Sequence, residues 1–282
     1  MDLKKSFPEM QESQFPIADD FWISIEKDEH YLNFPKNSLT DREVELLQMM
    51  VQESPSAEKV SSPWYRYLVK QVGSAPQELA HVQFLYLNHQ EALSAAFLQV
   101  LEEILSEAIA IFPVSQNRTV LFLEISDPLD SLTILQDIQP TLESDFGLAL
   151  SLFVGNEWHH LDSASLRDVF EEENALFSAY LLQKGGSKVQ NFSQLMLWAF
   201  LKDQKSPAIE GQFQRVLMQN SDFSALIESM WESQGNLVQT AQKLYIHRNS
   251  LQYKLDKLKK LTGLNLKVLD DLAFAYLFLQ KS

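Results

Sequence analysis

A set of side chains suited to binding nucleic acid lies in one short segment near the end of this 282-residue chain. Hydroxyl, amide and phenol groups can hydrogen-bond to base edges, while cationic groups can pair with phosphates. Both kinds occur between residues 248 and 260 and recur with helical spacing. The set comprises Arg248, Asn249, Ser250, Tyr253, Lys254, Lys257 and Lys260. This inventory is typical of a helix that reads the major groove of DNA.

Two short helices joined by a tight turn are predicted to position these side chains. Asn236 can cap the first helix, with Gln239 at the reciprocal capping-box position. Leu237, Ala241 and Leu244 then recur at i, i+4 and i+7 and give one narrow apolar face. The second helix places its leucines within about 120° of arc, opposite the polar set. Those leucines are Leu251, Leu255, Leu258 and Leu261.

The distribution of charge favours DNA binding over the alternative of a helical hairpin that only caps a domain or mediates association. From Gly235 to Ser282, eight Lys or Arg face three acids, so the segment carries +5. The other 234 residues hold 15 basic and 35 acidic side chains, which gives −20 and a net charge of −15 for the whole chain. A basic module on an acidic body concentrates the attraction for phosphate at one end.

The C-terminal segment resembles the helix-turn-helix of the PucR and CdaR families, regulators of purine catabolism and of sugar-diacid use. The family pattern is Asn, Thr-Ala, Leu, His-Arg-Asn-Thr-Leu-x-Tyr-Arg-Leu and Leu-Thr-Gly. Ser250 in place of Thr and Lys254 in place of Arg are the departures in the core of the motif. After Gly263, a predicted helix C-cap, the segment Asp270 to Phe278 is predicted to form a closing helix. The resemblance extends the predicted DNA-binding set to Thr240, His247, Arg248, Asn249, Ser250, Gln252, Tyr253, Lys254 and Lys257.

Between residues 113 and 192 the pattern alternates between strands and helices, which predicts a small α/β domain. The expected elements are strand Thr119–Ile125, helix Leu129–Leu142, strand Leu148–Val154, helix Ser165–Gln183 and strand Lys188–Phe192. This segment resembles the degenerate GGDEF-like domain of sugar-diacid regulators, a ferredoxin-like remnant. The alternative, a nucleotide-binding or cyclase-related enzyme with an accessory DNA-binding tail, needs metal-binding carboxylates in a Gly-Gly-Asp/Glu-Glu-Phe hairpin, and that sequence is absent. We therefore predict no catalytic residues and no enzyme activity.

No metal or cofactor site is predicted. The chain has no Cys, and the adjoining His159 and His160 would point their side chains in different directions on regular structure. Glu171, Glu172 and Glu173 are predicted to form the solvated face of a helix, and Gly185-Gly186 its C-terminal stop.

Residues 1–112 are predicted to form a mainly helical input or dimerisation region of unknown family. Thr40 and Glu43 form a predicted capping box at one helix. Gln90 to Phe112 is predicted as a long helix whose broad apolar stripe suits a core and a dimer seam equally. A group of aromatic residues could line an effector pocket or belong to an ordinary core or hairpin. These are Phe15, Phe21, Trp22, Tyr31 and Phe34.

The predicted protein is a multidomain α + α/β transcriptional regulator. It comprises the helical region 1–112, the α/β domain 113–192, a helical linker 193–220 and an all-α helix-turn-helix domain 221–282. The expected partners are double-stranded DNA, a second copy of the chain and a small-molecule effector. No apolar stretch approaches the ~18 residues of a membrane span, and the N-terminus lacks the apolar region of a signal peptide, so we expect a cytoplasmic protein. The resemblance to the PucR and CdaR families implies that it is bacterial.

Overall fold

The computed structural model describes residues 7–13, 22–27, 30–40, 42–44, 46–47, 62–126, 130–185 and 189–281. Its first unit is an antiparallel sheet of β1 (Gln11–Ser13), β2 (Trp22–Lys27) and β3 (His30–Pro35), in the order β1-β3-β2. A 3-10 turn follows at Lys36–Ser38. Met10, Ile23, Ile25, Leu32, Phe34 and Leu47 form a small core of its own.

The capping box before the helical residues 42–44 and 46–47 is confirmed. The Thr40 backbone N–H donates to Glu43 Oε2 at 2.8 Å, and the Glu43 N–H lies 3.4 Å from Thr40 Oγ1. In the described part of residues 1–112, however, β1 to β3, the strand His81–His89 and most of the strand Ala108–Ser115 stand where a mainly helical region was predicted. Three of the five aromatic residues singled out in this region lie on the paired strands β2 and β3. Phe34 is part of the core, whereas Trp22 and Tyr31 are partly exposed. Phe15 and Phe21 lie outside the described residues.

A second, larger sheet forms the centre of the molecule. Its strands are β4 (His81–His89), β5 (Ala108–Ser115), β6 (Arg118–Glu124), β7 (Leu150–Val154), β8 (Trp158–His159) and β9 (Val189–Asn191). The order is β5-β6-β4-β7-β9, with β8 paired to β4. All pairs are antiparallel except β7 with β9.

Helices cover both faces of this sheet because its strands are apolar on both sides. On one face, Phe84 and Tyr86 pack with residues of α1 (Pro63–Leu68) and α4 (Ser163–Lys184). On the other, Leu85 and Leu87 pack with residues of α2 (Ala95–Ile104) and α3 (Ser131–Phe146). The strands and helices predicted between residues 119 and 192 correspond to β6, α3, β7, α4 and β9. Gly185 ends α4 with a φ of 61°, as expected of a C-terminal stop, and Gly186 lies outside the described residues.

The predicted long helix from Gln90 to Phe112 is wrong. The helix α2 ends at Ile104, and the chain re-enters the sheet as β5 from Ala108. The apolar residues after Ile104 also alternate with period two, and pairing with β6 selects the strand. The predicted boundary between residues 112 and 113 is also displaced, because β4 pairs with both β6 and β7 and so belongs to the same sheet.

Six helices follow the sheet. They are α5 (Phe192–Leu201), α6 (Pro207–Gln219), α7 (Asp222–Glu232), α8 (Leu237–Lys243), α9 (Arg248–Thr262) and α10 (Leu269–Lys281). The first two lie in the predicted helical linker 193–220, yet they are packed: the Phe213 ring of α6 contacts Phe192, Phe274 and Phe278. Within the described residues, no helix is long and apolar enough to span a membrane.

Candidate nucleic-acid interface

The first helix of the predicted pair, α8, is capped by Asn236. Its side-chain oxygen accepts from the N–H groups of Val238 and Gln239 at 3.0 and 3.1 Å. The Asn236 N–H donates to the Ser233 carbonyl oxygen at 2.9 Å, so Gln239 does not close the predicted capping box. The cap fixes where α8 begins, and the residues between Lys243 and Arg248 form a short turn to α9.

The second helix, α9, buries one stripe and exposes the other. Leu251, Leu255, Leu258 and Thr262 are buried, whereas Leu261, predicted to be part of the stripe, is only partly so. His247 is the N-cap, and its Nδ1 accepts from the Asn249 N–H at 3.2 Å. The stripe turns the polar side of α9 outward and leaves the positive end of the helix dipole accessible, where anions are stabilised.

Six of the nine predicted DNA-binding side chains are exposed on this outward side. The Tyr253 side chain is 71% exposed, which is unusual for an aromatic residue in a packed helical unit and suits contact with a partner. The six are His247, Arg248, Asn249, Ser250, Tyr253 and Lys257. Lys257 also lies over the Phe223 ring of α7, with Nζ 5.5 Å from its centroid.

The other three residues are engaged within the protein. Thr240 is completely buried and its hydroxyl donates to the Asn236 carbonyl oxygen at 2.8 Å, so it packs the pair of helices and does not reach the surface. Gln252 donates to Asp256 at 2.6 Å and accepts from Lys267 at 2.9 Å. Lys254 forms an ion pair with Asp222, which lowers the pKa of that carboxyl.

Tyr245 was not predicted and is 96% exposed in the turn before α9. Its backbone is left-handed, with a φ of 55°, which orients the turn between the two helices. The signal in the sequence was a large aromatic residue between two apolar stripes and belonging to neither. Because it lies two residues before His247, it joins the exposed side chains at the beginning of α9.

The other end of α9 is fixed to the central sheet. Gly263 has a φ of 76°, and a Cβ there would lie 2.4 Å from Asn156 Oδ1 and 2.6 Å from the Glu157 carbonyl oxygen. Asn156 Nδ2 donates to the Thr262 carbonyl oxygen at 2.9 Å. The loop 155–157 after β7 therefore contacts the end of α9 directly and helps to hold it in place.

The buried carboxylate of Glu173 fixes that loop through hydrogen bonds. Its Oε1 accepts from the Asn156 N–H at 3.0 Å and from Trp158 Nε1 at 2.9 Å, and its Oε2 accepts from the Tyr86 hydroxyl at 3.0 Å. Burial raises the pKa of Glu173 to about 8, against the lowering effect of these hydrogen bonds.

The predicted solvated face at Glu171 to Glu173 is correct for Glu171 alone. Glu173 is completely buried. Glu172 is partly buried and accepts from the N–H groups of Ala208 and Ile209, both at 2.8 Å, at the beginning of α6.

A group of imidazoles lies beside the same loop. Pairing of β4 with β8 sets His81 opposite His159, with their rings stacked 3.8 Å apart. Glu157 Oε2 lies 3.3 Å from His81 Nε2. Burial and His81 lower the pKa of His159 to about 4. The prediction of no metal ligand at His159 considered only neighbours along the chain, whereas the partner of His159 comes from a strand 78 residues earlier in sequence.

The comparison with known domain families agrees with the geometry of α8 and α9. Residues 225–280 match the PucR C-terminal helix-turn-helix domain. The C-terminal part of the chain is therefore a PucR-type helix-turn-helix domain, of the kind found in DNA-binding transcriptional regulators.

Similarity to whole proteins extends over the full chain. It is 45% identical over 281 residues to the "Leucine-rich protein" of Streptococcus dysgalactiae subsp. equisimilis, with 100% of both chains covered. The chain belongs to the same family as that protein. It is also 24% identical over 266 residues to protein YxkF of Bacillus subtilis (strain 168), covering 89% of this chain and 87% of the other. A regulator of polyketide synthase expression from Bifidobacterium adolescentis aligns over 86% of this chain and 93% of its own, at 14% identity and a TM-score of 0.36.

Proposed function

We propose that this protein is a sequence-specific transcriptional regulator that reads double-stranded DNA with the exposed side of α9. The observation that carries the proposal is the group of six exposed polar side chains on the outward side of α9, within a PucR-type helix-turn-helix domain. Arg248 and Asn249 offer bidentate donors and acceptors to base edges. Lys257 offers a charge to phosphate.

The roles of the flanking residues follow from their contacts. His247 and Ser250 lie in the first turn of α9, where backbone N–H groups and short side chains approach a phosphate most closely. Gln252 and Lys254 reach DNA only if they exchange their present partners, Asp256 and Asp222. Thr240 supports the pair of helices from within.

A homodimer is the proposed functional state. A single recognition helix reads few base pairs, and two-fold regulators gain affinity by placing two such helices about one DNA turn apart. The mechanism we propose is that an effector or partner changes the relative placement of the two modules. Residues 90–112, predicted as one helix that suits a core and a dimer seam equally, contain α2 and most of β5 and so offer no single long helix for a seam.

The central domain is proposed to be a GGDEF-like remnant without catalytic activity. Its elements from β4 to β7 run β-α-β-β-α-β with the order β5-β6-β4-β7, the arrangement of a ferredoxin-like sheet. The hairpin between β5 and β6 carries Gln116 and Asn117, and neither can supply a carboxylate to a metal. The proposed role is to carry the helix-turn-helix domain and transmit input to it in a cytoplasmic protein.

Binding to DNA recovered with the protein from cells tests the proposal. We expect Arg248→Ala to weaken binding to the recovered site by about 1 to 3 kcal/mol and to relax preference at one base position. Lys202→Ala, which removes an exposed charge immediately after α5 and outside the helix-turn-helix, is the matched control and should bind normally. Equal affinity of wild type and Arg248→Ala for every sequence would remove the assignment of α9 as the reading helix.

A further inference from the structure

We propose that His81, Glu157 and His159 form a binding site for a divalent transition-metal cation of the Zn²⁺ class. One ligand atom from each of these side chains lies within 4.8 Å of the others. All three are partly buried, so they are shielded yet reachable from solvent. The three residues come from β4, from β8 and from the loop that joins β7 to β8.

The donor set matches this class of metal. Two imidazole nitrogens and one carboxylate oxygen suit Zn²⁺, Co²⁺ or Ni²⁺, whereas Ca²⁺ and Mg²⁺ prefer oxygen ligands throughout. Three protein ligands leave at least one position open for water or for a further ligand.

His81 Nε2 gives a second, independent indication of a ligand. It is shielded from solvent and makes no hydrogen bond within the described residues, although Glu157 Oε2 is 3.3 Å away. A buried polar atom without a partner costs free energy, and a metal bond would satisfy it.

The loop that carries Glu157 is already positioned for binding. Glu173 holds the N–H of Asn156 and the indole of Trp158 on either side of Glu157. The metal therefore needs only side-chain rotations from His81, Glu157 and His159, which lowers the cost of assembling the site.

The same loop links the site to the recognition helix. The Glu157 carbonyl oxygen lies 2.6 Å from where a Cβ on Gly263 would be, and Asn156 donates to the Thr262 carbonyl oxygen at the end of α9. We infer that metal binding shifts the placement of α9, a regulatory step that rests on the proposed function.

Equilibrium dialysis of the full-length, tag-free protein against ZnCl₂ tests the site without DNA. We expect one Zn²⁺ per chain, with His81→Gln and His159→Gln each weakening it at least tenfold. Glu157→Gln should weaken it less, because an amide oxygen can still coordinate. His160→Gln is the matched control, since His160 adjoins His159 but is exposed and outside the cluster.

Circular dichroism establishes that each variant is folded. Binding that survives in both His81→Gln and His159→Gln, or no binding to the wild type at micromolar Zn²⁺, would overturn the site.

The regulatory step is tested by titrating DNA recovered from cells with and without Zn²⁺. A change in DNA affinity that is present in the wild type and His160→Gln but absent in His159→Gln supports the coupling. Unchanged DNA affinity with Zn²⁺ bound contradicts the coupling and leaves the site standing. Failure to bind any DNA, with Zn²⁺ binding intact, contradicts the proposed function instead.

Discussion

The two ends of α9 differ in how their polar groups are used. At its beginning, His247, Arg248 and Asn249 are exposed, and the contact found among them is the cap from His247 to the Asn249 N–H. At its end, Thr262 and Gly263 press against Asn156 and Glu157, above the buried carboxyl of Glu173. The N-terminal end of α9 is available to a partner, while the C-terminal end is packed against the rest of the chain. Binding and control can therefore be changed separately.

The largest expected effect comes from adding a side chain at Gly263, where the neighbouring atoms leave no room for one. Gly263→Ala should lower the free energy of unfolding by more than about 2 kcal/mol, because the new Cβ meets Asn156 and the Glu157 carbonyl oxygen and the backbone is left-handed. Denaturant unfolding measures it. Gly211→Ala in α6 is the control: nothing lies within 4 Å of its Cβ position, and it should stabilise by roughly 0.5 to 1 kcal/mol. Equal effects of the two changes would show that α9 does not press on the sheet.

A pH-dependent effect is expected at Glu173, which faces the Tyr86 hydroxyl, the Trp158 indole and the Asn156 N–H. Its pKa is about 8 in the folded protein and 4.5 ordinarily, so the folded state holds an extra proton between these values. The contribution of Glu173 to the free energy of unfolding is therefore fully present below about pH 4.5 and is lost as the pH rises towards 8, by up to about 1.4 kcal/mol per pH unit.

Glu173→Gln mimics the protonated carboxyl and should remove that slope. Unfolding of wild type and variant across pH 5 to 8 measures the difference, and Glu171→Gln, an exposed neighbour on the same helix, is the matched control. If the free energies of unfolding of wild type and Glu173→Gln change in parallel across this range, Glu173 titrates normally and water reaches the buried junction.

The comparison also shows which parts of the molecule a single sequence can predict. Periodicity and caps are local, so α8, α9 and the exposed set at Arg248 were predicted from the spacing of leucines and the Asn236 cap. The burial of Thr240 and Glu173 depends on elements far away in the chain. Thr and Glu are polar residue types, so the sequence alone predicted that both side chains would be exposed. The strand β5 was missed because its apolar residues continue the helical stripe of α2, and only pairing with β6 distinguishes the two.

A moderate effect is expected at Lys257, on the exposed side of α9. Lys257→Ala should weaken binding to all DNA sequences alike and reduce the slope of log affinity against log salt by about one, since one phosphate contact is lost. Titrations at several salt concentrations measure it, with Lys202→Ala for comparison. A sequence-dependent loss would show instead that Lys257 meets a base edge.

The smallest effect is expected at the ion pair between Lys254 and Asp222, which is partly exposed at the flank of α9. Asp222→Asn should change the free energy of unfolding by less than about 1 kcal/mol, because water screens such pairs. It should nevertheless raise affinity for random DNA at low salt severalfold, since it removes an acid beside the reading helix and frees Lys254 for phosphate. Glu228→Gln changes the same charge on the exposed side of the same helix, α7. If both variants gain the same affinity for random DNA, the gain comes from net charge alone. Lys254 then stabilises the protein through Asp222 and does not contact phosphate.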